Sequence, residues 1–148
     1  MTRALRVVLP GMLARLVLVA LLLLNVGVAA AQDQKATTVQ AAARAWLTAA
    51  DRLDGNASWK SAGARFRGAI DAGRWTEQLR AARTPWGAVQ QRASTSTGFA
   101  DGLPDGTKGE FAHVQYRTAF ERHAEGHESL TLEHEPDGGW RVVGYFVR

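Results

Sequence analysis

The closing stretch Gly138-Gly139-Trp140-Arg141-Val142-Val143-Gly144-Tyr145-Phe146-Val147-Arg148 constrains the fold more than any other part of the chain. A glycine pair feeds a run of aromatic and β-branched residues, which reads as a turn and then a terminal β-strand. Successive side chains of a strand point to opposite faces. Trp140, Val142 and Phe146 therefore share one face, and Val143, Tyr145 and Val147 share the other. Both faces are largely apolar, so both need cover, from the rest of the chain or from a partner.

The cover on one side is predicted from the first half of the chain. From Thr38 apolar residues recur at helical spacing, with Val39, Ala42, Ala43, Trp46, Leu47 and Ala50 on one face. Abundant alanine supports the same reading through local propensity. Gly55 is the expected stop. A second helix is predicted from Ala57 to about Ile70, capped by Asn56, with Trp59, Ala62, Phe66 and Ala69 inward. A third runs from Arg74 to Arg83, with Trp75, Leu79 and Ala82 inward, and Thr84-Pro85-Trp86-Gly87 ends it.

After Gly87 the period becomes two. Val89–Thr97 reads as a strand. Glu110–Phe120 is the clearest one, with Ala112, Val114, Tyr116, Thr118 and Phe120 on one face and His113, Gln115 and Arg117 on the other. Glu128–Glu135 follows, with Leu130 and Leu132 inward and Thr131 and Glu133 outward. Pro136-Asp137-Gly138-Gly139 turns the chain into the last strand. Three helices followed by a four-strand meander predict an α+β fold, with the helices packed on a curved antiparallel sheet. The expected organisation is a leader over residues 1–31, a disordered tail over 32–37 and a single domain over 38–148.

The leader is read from Arg3, Arg6 and Arg15, the apolar run Leu16–Val28 and the small residues Ala29-Ala30-Ala31. Together they describe a cleaved export signal, cut after Ala31, which sends the domain to the periplasm or outside the cell. Contact with the membrane is then limited to the leader before cleavage. The formal charge of +4 includes those three arginines, so the mature chain is close to neutral. That leaves no excess of positive charge for phosphates and argues against nucleic acid. The absence of cysteine excludes disulfides and thiol catalysis.

Motifs that carry chemistry are sparse. No serine–histidine–acid pattern or phosphate-binding loop is present, and no cofactor is expected. His123 and His127 flank Glu125 at a spacing that could hold zinc on a helix, but they fall in a predicted loop, so no metal site is expected. His113, Gln115 and Arg117, beside Thr131 and Glu133, form a polar outer row suited to cross-strand pairing. The five tryptophans, Trp86 among them, read as core before they read as a ligand cage. The apolar set Val143, Tyr145 and Val147 raises the further expectation of a homodimer through the sheet.

The set Ala45-Trp46-Leu47, Ser58-Trp59, Phe66, Trp75, Arg83-Thr84-Pro85-Trp86-Gly87, Arg92, Tyr116-Arg117-Thr118-Ala119-Phe120, Glu128, Thr131-Leu132 and Asp137-Gly138-Gly139-Trp140-Arg141-Val142-Val143-Gly144-Tyr145 resembles the bacterial family called domain of unknown function 4019. The resemblance spans nearly all of the mature chain. It departs at Trp86, where the family usually has leucine. The closing strand also resembles that of the nuclear-transport-factor-2-like, cystatin-related superfamily. That likeness implies a cone-shaped sheet around helices with a pocket between them. It offers Arg83, Trp86, Arg92 and Tyr116 as ligand-binding residues. Relatives of that superfamily include isomerases with a buried carboxylate base and a tyrosine donor, for which Glu128 and Tyr116 are the matching pair here. The expected function is a non-enzymatic exported module that binds a small ligand or an envelope protein. The alternative is a small acid–base enzyme, of isomerase or hydrolase type, working in the same pocket.

Overall fold

In the computed structural model the backbone is described over residues 10–148, and side chains from residue 31 onward. The predicted leader up to residue 30 lies outside the residues whose side chains are described. The chain divides into two compact units, Met1–Lys35 and Ala36–Arg148. Helix α1 is Pro10–Asp51, so residues 32–37, predicted as a disordered tail, are helical. Within the second unit there follow α2 (Gly55–Ser61), α3 (Ala64–Ala69), α4 (Ala72–Arg83) and strands β1 (Val89–Gly102), β2 (Lys108–Phe120), β3 (Gly126–His134) and β4 (Trp140–Val147). The strands form one antiparallel sheet in the order β1-β2-β3-β4. The α+β class and the meander are as the sequence predicts.

The core lies between the helices and one face of the sheet. Val39, Ala43, Trp46, Leu47 and Ala50 of α1 meet Trp75 and Leu79 of α4, and Ala112, Val114, Leu130, Leu132 and Val142 of the sheet. The buried indoles of Trp46 and Trp75 and the half-buried one of Trp59 each keep a partner for the N–H. Trp46 donates to the Ser58 carbonyl (2.9 Å), Trp75 to the Ser58 hydroxyl (2.9 Å) and Trp59 to the Ile70 carbonyl (2.7 Å). A buried indole needs such a partner, so Ser58, fully buried, ties α1 and α4 to α2.

The helix boundaries differ from expectation in three places. First, α1 ends in a left-handed residue, but it is Leu53 (φ 54°), not Gly55. Leu53 N–H bonds the Ala50 carbonyl and Asp54 N–H bonds the Ala49 carbonyl, the Schellman pattern. Gly55 is needed for a different reason. A Cβ there would lie 2.5 Å from the Thr76 Cα. Second, Asp54, not Asn56, caps α2, accepting from Ala57 N–H at 2.9 Å. Third, the single helix predicted over Ala57–Ile70 is two. Ala62 and Gly63 are extended, and Gly63 N–H donates to the Val142 carbonyl at 2.8 Å, on the edge of β4. That bond to the sheet replaces the helical one. In α4 the inward face is Trp75, Leu79 and Arg83, four residues apart, while Ala82 is exposed.

The last strand also departs from simple alternation. Thr131 pairs with Gly144 and Leu132 with Val142, so Val143 has no opposite number. A bulge of this kind swaps the faces beyond it. Val142 and Tyr145 both point to the helices, and Tyr145 packs against Trp46 at 5.3 Å between ring centroids. Phe146, expected inside, is 59% exposed. Val143, Tyr145 and Val147 therefore do not share an outer face, and the surface on which the homodimer expectation rested does not exist in that form.

A buried ion network flanked by two clefts

The same parity that sends Leu130 and Leu132 inward also buries Glu128 at the start of β3, completely. A carboxylate so placed needs partners, because removing an ion from water costs several kcal/mol unless it is paired and hydrogen-bonded. Four side chains supply them. Arg92 donates from Nε to Oε2 (2.6 Å) and from Nη2 to Oε1 (3.1 Å). The Tyr145 hydroxyl donates to Oε1 (2.7 Å) and the Thr118 hydroxyl to Oε2 (2.6 Å). Arg83 Nη1 stands 3.5 Å from Oε1 and donates to the Tyr145 oxygen at 3.1 Å.

Both arginines continue to Asp51 in the last turn of α1. Arg83 Nη2 reaches Oδ1 at 2.9 Å, and Arg92 takes Oδ1 and Oδ2 at 2.8 Å each, a bidentate fork. Two cations and two anions leave the network neutral. Its members come from α1, α4 and all four strands, so it pins the helical layer to the sheet. An acid at a helix C-terminus opposes the helix dipole, and the two guanidinium groups offset this. Burial would raise the Asp51 pKa; hydrogen bonds and charge from Arg92, then Arg83, outweigh it and hold the carboxyl below its ordinary value. Burial likewise works against the charge of Arg92, but Asp51 and Glu128 keep it above the usual arginine value. Burial first and the Glu128 charge second push the Tyr145 hydroxyl well above the ordinary tyrosine value.

Of the residues singled out in the sequence, Arg83, Arg92 and Glu128 meet in this network. Tyr116 is opposite Glu128 in register, yet its buried hydroxyl has no hydrogen-bond partner. Burial raises its pKa. Trp86 lies apart. It packs on Phe120 (5.2 Å) and His123 (4.6 Å), while Arg83 covers Phe120 at 5.2 Å. His127 belongs to β3, in register with Arg117, so it does not join His123. On the outer face His113 meets Thr131 (3.2 Å), and Glu133 pairs with Arg65 of α3 (2.9 Å) rather than with Arg117.

Sequence reasoning missed Asp51, Thr118 and Tyr145 as members of the network. Asp51 follows Leu47 by four residues, on the buried face of α1, and Thr118 was already inward by alternation. Those two signals were present. Tyr145 was hidden by the bulge.

Two open clefts flank the network. One, of about 320 Å³, lies beside Arg83 and is bounded by Leu53, Gly87 and Arg122. The other, of about 310 Å³, lies beside Arg92 and is bounded by Arg44, Thr48, Asp51, Ser94 and Tyr116. No curated protein and no solved structure matches the chain. The family model described as a protein of unknown function, DUF4019, matches residues 42–145, a span that holds every member of the network, and the chain belongs to that family.

Proposed function

We propose that this domain is an exported, non-catalytic module of the cell envelope that binds a small ligand in a cleft beside the ion network. The observation that carries this reading is the state of Glu128. Its two oxygens already accept from Arg92, Tyr145 and Thr118, with Arg83 close by. A general base needs a free lone pair within reach of substrate and a pKa near the working pH. Both oxygens of Glu128 are occupied by donors, with no lone pair left for a substrate proton, so the isomerase-like pairing of Glu128 with Tyr116 loses its base. The clefts on either side remain open. Export is supported by Arg3, Arg6 and Arg15, the apolar run and the Ala29-Ala30-Ala31 site. The helices followed by a bulged four-strand meander support kinship with the cone-shaped nuclear-transport-factor-2-like folds.

Cell fractionation with mass spectrometry of the mature N-terminus tests the first half, with a chain beginning at Gln32 in the periplasm or medium expected. An intact chain held in the cytoplasm would overturn it. A thermal-shift screen of the purified protein against anionic, neutral and cationic metabolites tests the second half. Saturable stabilisation by one class is expected; a flat response across all three would overturn the binding reading.

A further inference from the structure

We infer that the cleft beside Arg92 is a binding site for a small monoanionic carboxylate, held by Arg44, Ser94 and Tyr116. This rests on the reading of the domain as a binding module and names the chemistry of its ligand. The argument comes from which polar groups around the cleft remain unused. Asp51 is not among them, since Arg83 and Arg92 take both of its oxygens. Thr48 donates its hydroxyl to the Arg44 carbonyl at 3.0 Å. Arg92 is committed to Asp51 and Glu128.

Three groups remain without a partner among the described residues. The Arg44 guanidinium, on the exposed side of α1, makes no ion pair. Ser94 makes no side-chain hydrogen bond. The Tyr116 hydroxyl is buried and orphaned, on a residue only 2% exposed. A buried hydroxyl without a partner carries a desolvation cost that a ligand oxygen would remove. All three groups can donate, and the guanidinium can only donate. The cleft therefore has a surplus of donors and suits an acceptor-rich ligand.

Charge sets the class. Arg44, Arg83 and Arg92 against Asp51 and Glu128 leave one positive charge, that of Arg44. One free guanidinium fork matches one planar carboxylate, whereas a dianionic phosphate would leave a negative charge uncompensated. Arg44 and Ser94 stand at the open rim and Tyr116 beneath, so the carboxylate enters head first and the remainder of the ligand occupies the outer cleft.

The test is titration of the purified full-length chain with sodium benzoate, sodium propionate, sodium phosphate and glucose at constant ionic strength, read by calorimetry and by amide NMR shifts. Saturable binding of benzoate or propionate is expected, with shifts around Thr48, Ser94 and Tyr116. Arg44→Gln should weaken it by about tenfold or more, as for a charge-assisted hydrogen bond. Tyr116→Phe should weaken it about two- to tenfold, as for a neutral one. Arg122→Gln, in the other cleft, should leave it unchanged. Phosphate binding more tightly than either carboxylate would overturn the assigned class. Carboxylate binding that survives Arg44→Gln, or is lost in Arg122→Gln, would overturn the assigned site while keeping the module. Saturable binding of glucose alone would overturn the inference and keep the module, and no binding of any probe would overturn the inference and leave the module to the broader screen.

Discussion

Arg92 on β1 donates to both carboxylate oxygens of Glu128 on β3, at 2.6 and 3.1 Å, across the intervening strand β2. Thr118 on β2 sits under that bridge, in register with Arg92 and bonded to the same carboxylate. The polar network thus runs perpendicular to the strands, while the apolar core runs beside it along α1. Because it engages α1 and α4 as well, it fixes where the helices sit on the sheet. Apolar contacts alone specify such a position less sharply, since hydrophobic packing is non-directional.

Glu128→Gln is expected to destabilise the domain by about 3–5 kcal/mol, because it keeps the shape of the side chain but leaves Arg83 and Arg92 with one anion between them. Urea unfolding followed by tryptophan fluorescence measures this. A loss below about 1 kcal/mol would mean that water or a rearranged Asp51 compensates the arginines, and that the network is not the joint between layers.

The two tyrosines near the network give a paired expectation. Tyr145→Phe removes a hydroxyl that donates to Glu128 and accepts from Arg83. It should cost about 1–3 kcal/mol, since it strips a bond from a buried charge. Tyr116→Phe removes a hydroxyl with no partner, so it should leave stability unchanged or raise it by up to about 1 kcal/mol. Equilibrium unfolding of the two variants decides the point. Equal losses would show that the Tyr116 hydroxyl is satisfied in solution.

How much of this was legible in the sequence depends on the period of each element. Glu128 was inward as soon as Leu130 and Leu132 were, and Arg83 follows Trp75 and Leu79 at four-residue steps. Both placements follow from periodicity alone. Tyr145 was not, because a bulge depends on backbone pairing between Thr131–Leu132 and Val142–Gly144, which no one-dimensional alternation encodes. The break at Ala62-Gly63 was missed for a related reason. Its helical hydrogen bonding is replaced by one from Gly63 to Val142, 79 residues away in the chain, and local propensity carries no information about such a partner.

The acid limb of stability should carry the signature of Asp51. Its folded pKa lies below the ordinary 3.8, chiefly because Arg92 and Arg83 overcome the effect of burial. The unfolded chain therefore takes up the proton first. The contribution is fully present above the unfolded value and is lost as pH falls through the lower folded one. The melting temperature of the wild type should drop steeply below about pH 4. Asp51→Asn should be less stable than wild type at pH 6, and the gap between them should narrow as pH falls toward 2. A gap that stays constant down to pH 2 would remove Asp51 as the titrating group.

Two helical glycines should respond in opposite directions to the same substitution. Gly55 opens α2 against α4, and a Cβ there would sit 2.5 Å from the Thr76 Cα, a backbone atom that cannot swing aside. Gly55→Ala should therefore cost about 1–3 kcal/mol through overpacking, despite the higher helix propensity of alanine. Gly68 lies within α3, and a Cβ there meets nothing within 4 Å. Gly68→Ala should add about 0.5–1 kcal/mol, chiefly by reducing the freedom of the unfolded chain. Thermal and urea unfolding of both variants provide the measurement. A Gly55→Ala variant as stable as wild type would mean that α2 and α4 are free to separate. The Ser58 bonds to Trp46 and Trp75 would then not fix their spacing.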